Sequence, residues 1–135
     1  MQKLLLLALG IMSLPLVVAT CNYEEPKPKE TEYQIVKVTT YMAVSGQTDS
    51  TPFVTASGFK LSKKNPKKHR IIAVSRDLKR KLKFGKKVKL TGIGKYSGIY
   101  VVEDVMNSRF KNRVDILINT TDKPVMFKQA KMIIL

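Results

Sequence analysis

KKVKLTGIGKYSGIYVVEDV (86–105) followed by RVDILI (113–118) is the stretch that decides the fold. Val88 and Leu90 alternate with Lys87 and Lys89. That period of two puts apolar and charged side chains on opposite faces of a strand. Glycines at 92 and 94 break the strand, and GIYVVED (98–104) begins another. In RVDILI, Val114, Ile116 and Ile118 share one face, so Asp115 points the other way with Arg113 and Leu117. Working outward, the other apolar runs are also short and β-branched. YQIVKVTTYMA (33–43) alternates, GQTDSTP (46–52) is a turn cluster containing Asp49, and FVTASGFKL (53–61) is extended with a glycine break. RIIAVS (70–75) reads as a buried strand and KMIIL (131–135) as a last one. Two short helices are expected. One runs from Asp77 to Phe84, closed by Gly85; the other runs from Thr121 to Ala130, with Asp122 near its start and Pro124 in its first turn. Six or seven short strands in about 100 residues, with two stub helices, predict a mainly β protein, a small closed barrel.

The N-terminus is organised differently. Met1 to Thr20 reads as an export signal, with Lys3 before the apolar run LLLLALGIMSLPLVVA. The run is short for a membrane-spanning helix and contains Pro15. Val18-Ala19-Thr20-Cys21 resembles the bacterial lipobox, in which the chain is cut before a cysteine that is then acylated. Lipidation accounts for a solitary cysteine and gives stable anchoring. Residues 21–32 are then the lipidated Cys21 and a polar, Pro-containing tether with no apolar periodicity. Asn22 after that cysteine implies an exported protein of the cell envelope, anchored in the outer membrane and facing the periplasm. Residues 33–135 form the domain.

Composition narrows the chemistry. The 135 residues carry 25 Lys and Arg against 10 Asp and Glu, with one His, one Cys and no Trp. Zinc sites usually need three or four His, Cys or carboxylate ligands, so no metal and no other cofactor is expected. A disulfide framework needs cysteines in pairs. Lys60 to Lys95 holds 15 of the basic residues and one acid, Asp77. KLSKKNPKKHR (60–70) reads as an exposed basic loop, either a solvated surface or an attractor of envelope polyanions. Nucleic acid is not an expected partner, because the basic stretch has no interleaved aromatics for base stacking.

Carboxylates are scarce in the domain: Asp49, Asp77, Glu103, Asp104, Asp115 and Asp122. Asp115 breaks the local rule most clearly, because aspartate is disfavoured within strands. It is either an edge-strand charge partnered by Arg113 or a functional carboxyl. Asp104 ends the preceding strand and Asp77 reads as a helix cap. Glycosidic cleavage needs a carboxyl of raised pKa, usually beside a second carboxylate, and Asp104 with Asp115 is the candidate pair.

The order of segments adds an identity to this pattern. VTTYMAVSGQTDSTPFVTASG (38–58), IIAVSRDL (71–78) and FGKKVKLTGIGKYSGIYVVEDVMNSRFKNRVDILI (84–118) together resemble the three-aspartate (3D) domain. That family is related to membrane-bound lytic transglycosylase A and to the rare-lipoprotein-A and expansin barrels. The resemblance implies a six-stranded double-psi β-barrel. It implies Asp115 as catalytic acid and then base, with Asp104 supporting it, and Asp77 as the nearest match to the family's first aspartate. Thr55, Ser57 and Gly58 match the family's groove turn. Between its second and third aspartates the family carries a glycine-rich segment, whereas here 105–112 has no glycine and should form a bulkier, more basic loop. Arg109, Lys111 and Arg113 would pair with stem-peptide carboxylates. The implied activity is peptidoglycan turnover by a lytic transglycosylase acting as a monomer. The alternatives are a non-catalytic peptidoglycan-binding barrel of expansin type, and a structural lipoprotein that binds a partner.

Overall fold

The computed structural model describes residues 10, 12–27, 31–46 and 50–135. Most of the apolar leader (1–9 and 11), tether residues 28–30, and the 47–49 turn with Asp49 lie outside the described residues. Those described before Tyr33 are exposed coil, Cys21 included.

Six strands follow: β1 (Tyr33–Met42), β2 (Ile71–Val74), β3 (Lys87–Thr91), β4 (Gly98–Val105), β5 (Arg113–Ile118) and β6 (Met126–Ile134). They close into a barrel in the order β1-β5-β2-β4-β3-β6. β1 runs parallel to β5, and β2 parallel to β4; the other neighbours are antiparallel. Exchanging the halves β1-β2-β3 and β4-β5-β6 maps this circular order onto itself, and maps one parallel pair onto the other. The closed six-stranded mixed barrel thus contains two parallel pairs related by a pseudo-two-fold. Closure also leaves no free edge on which another chain could add a strand.

Period-two alternation builds the interior. Val36 and Val38 of β1, Ile72 and Val74 of β2, Val88 and Leu90 of β3, Tyr100 and Val102 of β4, and Val114, Ile116 and Ile118 of β5 all fall in one buried cluster. A second cluster lies outside the barrel wall and includes Tyr41, Ala43, Leu61, Ile71, Ala73, Met106 and Leu117. Residues 53–61 fold over it, with Leu61 in the cluster and Phe53 packed against it.

Three expectations are corrected. Asp77–Phe84 is a run of turns, not a helix. Leu78 and Leu82 are buried, but Lys79, Arg80, Lys81 and Lys83 crowd like charges onto a segment too short to sustain a helix alone. Asp77 therefore caps nothing. Thr121–Ala130 is not a helix either: β6 starts at Met126 and pairs with both β1 and β3. Two open strand edges offer backbone partners that outweigh helix signals at Asp122 and Pro124. FVTASGFKL (53–61) is no strand; a single bridge, Val54 to Lys60, marks it as a folded-back loop. The helical content of the described residues is two 3-10 turns, Pro66–His69 and Gly94–Tyr96. The first lies within the basic segment 60–70, where Leu61 and Pro66 are buried.

Candidate active site

Asp115 and Asp104 are brought together by strand register. Asp115 is paired with Thr39 on one side and Ala73 on the other. Ala73 is paired in turn with Asp104. Thr39, Asp115, Ala73 and Asp104 thus form one rung across four strands, on the outer face of the wall. Ala73 matters by being small, because it separates the carboxyls without covering them. The rung depends on a bulge: the β2–β4 register shifts between Ile72 and Ala73, so Ile72 faces Val102 while Ala73 faces Asp104 and not Glu103. A bulge beside a site re-aims one side chain at the cost of a local break in the ladder. Glu103 is turned away to the turn 55–58, where its carboxylate accepts a hydrogen bond from the Ser57 hydroxyl.

A cleft of about 690 Å³ opens over this rung. Asp115, Ala73, Asp104 and Tyr41 line it, with Ala56 and Val54 of the covering loop and Met106, Asn107, Arg109 and Phe110 of the loop after β4. Arg76 completes it, its Nε 3.3 Å from the Met106 carbonyl.

Each carboxyl is held. The Thr39 hydroxyl donates to Asp115 Oδ1 at 2.9 Å. The Tyr41 hydroxyl donates to Asp104 Oδ2 at 3.2 Å, and the Ala56 and Val105 N–H groups donate to Oδ1 at 3.1 and 3.0 Å. Burial pushes the Asp115 pKa up to about 6. The Thr39 hydrogen bond and the Arg113 charge oppose that rise, and the Asp104 charge adds to it. Burial, then the charge and hydrogen bond of Asp104, push the Tyr41 hydroxyl well above its ordinary value, so it stays a proton donor at neutral pH. Removing it leaves a charged acceptor short of one donor. Tyr41→Phe is therefore expected to cost about 2 kcal/mol of unfolding free energy, read as a lower urea midpoint with an unchanged slope.

The other sequence candidates take graded positions. Arg109 lines the cleft and stacks on Phe110, whose other neighbour is the Arg113 guanidinium, with cation-to-centroid distances of 4.6 and 4.5 Å. Arg113 is thus directed at Phe110 and does not itself line the cleft. Lys111 is exposed beyond it. Thr55, Ser57 and Gly58 border the cleft as a turn: the Gly58 N–H donates to the Thr55 carbonyl at 2.9 Å, with Gly58 at φ +86°. Their neighbour Ala56 supplies the contact to Asp104. Asp77 lies apart from the cleft and accepts a hydrogen bond from the Asn112 N–H at 2.9 Å. Hydrogen bonds from Ser75 and Asn112 hold its carboxyl below the ordinary range. It therefore fixes the entry to β5, next to Asn112 at φ +47°.

Thr39, Tyr41, Ala73 and Arg76 were missed. Thr39 and Tyr41 share the outward face of β1 by the period of two, a signal visible in YQIVKVTTYM. That this face meets Asp115 was not visible. No family model matches the chain, and no curated protein matches it.

Proposed function

We propose that this chain is an exported envelope lipoprotein, anchored through Cys21, whose barrel cleaves the glycan strands of peptidoglycan as the 3D-domain resemblance implies. The observation that carries this reading is Asp115: a carboxyl of pKa about 6 on the wall of an open cleft, one small residue away from a second carboxylate. A carboxyl titrating near 6 is protonated often enough to give up a proton near neutrality and, once ionised, basic enough to take one back.

The reaction follows from that property. Protonated Asp115 donates to the oxygen between N-acetylmuramic acid and N-acetylglucosamine, and the bond from that oxygen to muramyl C1 breaks. The Asp115 carboxylate then accepts the proton of the muramyl C6 hydroxyl as its oxygen bonds to C1. The products are a free 4-hydroxyl and a 1,6-anhydromuramyl end, and Asp115 regains its proton. Asp104, on the same rung of the wall, faces the developing positive charge at C1. Arg76 and Arg109 offer guanidinium groups to stem-peptide carboxylates at the cleft rim.

A non-catalytic glycan-binding barrel is the second reading. It is favoured by the hydrogen bonds that already engage both carboxyls, and by the basic balance of the chain. Digestion of purified peptidoglycan followed by mass spectrometry separates the two. Anhydromuropeptides are the expected products. Reducing ends would assign a hydrolase, and salt-sensitive sedimentation with the wall without any product would assign a binder.

A further inference from the structure

A second cavity of about 320 Å³ shares no lining residue with the cleft. Tyr96 and Tyr100 line it with Ile116 and Ile118 of β5, and Lys67, Lys68, Arg70 and Lys95 converge on it. Asp122 is its one carboxylate, so four cations leave a local excess of three positive charges.

Several features show that this arrangement is built. The wall Pro66–His69 is pinned: the Lys67 N–H donates to Asn119 Oδ1 at 3.0 Å, Asn119 Nδ2 donates to Asn65 Oδ1 at 2.9 Å, and Lys67 Nζ lies 3.1 Å from Asp122. Arg70 sits in the left-handed region, at φ +53°, which a long side chain rarely adopts. Its guanidinium lies 4.1 Å from the Tyr100 ring centroid, with Nε 3.3 Å from the Ile99 carbonyl. Gly98 leaves room for that placement: a Cβ there would lie 2.5 Å from Arg70 Nη2, and the guanidinium would have to shift. The left-handed backbone of Arg70 closes the Pro66–His69 turn, its N–H donating to the Lys67 carbonyl at 3.1 Å, and the missing Cβ at 98 leaves its guanidinium room at the edge of the cavity.

We propose that this cavity is an anion site for a phosphate monoester carried on a small polar body such as a sugar ring. A phosphate monoester carries about −1.5 to −2 charges at pH 7, which matches an excess of three positive charges better than a single carboxylate does. Arg70 presents a planar fork and the three lysines supply point charges. Tyr96 and the apolar floor give a ring something to lie against. The basic segment 60–70 is then one wall of a binding site as well as a charged surface. This site does not depend on glycan cleavage in the cleft.

The test is isothermal titration of the full chain, purified in nonionic detergent, with glucose 6-phosphate, inorganic phosphate and glucose. Saturable binding of glucose 6-phosphate is expected, with glucose at least tenfold weaker. Inorganic phosphate tells whether the anion suffices alone: binding equal to that of the sugar phosphate assigns the site to free phosphate, and weaker binding assigns it to the esterified form. Lys95→Glu, on an exposed turn, should weaken binding at least tenfold without lowering the Tm, and Lys68→Glu should act similarly. Arg80→Glu, which lines neither cavity, should leave binding within twofold. Equal binding of glucose and glucose 6-phosphate, no saturable binding of either phosphate, or equal binding by parent and Lys95→Glu would overturn the proposal.

Discussion

Asp115→Asn protein is expected to release no anhydromuropeptides from peptidoglycan, and at pH 7 to be more stable than the parent. The loss in rate should be at least about 100-fold, because a positioned acid or base contributes roughly 10²–10⁴-fold. The stability effect follows from linkage. Asp115 titrates at about 6 in the fold against 3.8 ordinarily. Its folded pKa is the higher one, so its contribution to stability is fully present below about pH 3.8 and is lost as pH rises through about 6. At pH 7 the ionised carboxylate weighs against the fold by about 3 kcal/mol, at roughly 1.4 kcal/mol per pH unit. Asparagine is neutral, nearly isosteric and still able to accept the Thr39 hydrogen bond. Thermal unfolding should therefore show a higher Tm for the variant at pH 7 and no difference near pH 3.5. Parent activity should fall as pH rises above about 6, where the acid form is depleted. Unchanged product release by the variant would remove Asp115 from the chemistry, and equal Tm values at pH 7 would show that its burial costs nothing.

Leu117→Ala should destabilise the fold by about 3 kcal/mol, the usual range for a buried leucine being roughly 2–5. Leu117 is 1% exposed, although it lies on the outer face of β5 beside Asp115. It packs with Tyr41, Ala43, Leu61, Ile71, Ala73 and Met106, the layer on which residues 53–61 are seated through Phe53 and Leu61. Its removal should loosen that cover as well as weaken the barrel. The measurement is a urea melt combined with amide exchange: Leu61 and Gly58 should exchange faster, while Val88 and Leu90 in β3 keep their relative protection. A loss below about 1 kcal/mol would show that the outer layer is only loosely packed.

Much of the barrel was legible in the chain because alternation is local. Every strand from β1 to β5 was readable from its own residues, and Val114, Ile116 and Ile118 were assigned to the inner face before any partner was known. β6 was readable only in its second half: KMIIL (131–135) reads as a strand, and the strand does run to Ile134. MFKQA (126–130) carries helix-compatible residues, and two waiting strand edges decided its state. Segment 53–61 failed for the opposite reason: Phe53 and Leu61 pack on the outer layer, but the segment finds no continuous ladder.

The candidate site divides along the same line. The sequence by itself determined that Asp115 shares the outward face of an apolar strand with Arg113 and Leu117, and that Asp104 closes the strand before it. These facts depend on nearest neighbours and the period of two. Only the tertiary structure decided what those carboxyls meet. Thr39 reaches Asp115 across 76 residues, and Tyr41 reaches Asp104 across 63. A bulge opposite Ala73 selects Asp104 over Glu103 for the rung. Parallel register and bulge position are set by backbone hydrogen bonds that are alike at every residue, so no local pattern records them. They emerge when the whole barrel closes and its interior packs in one register.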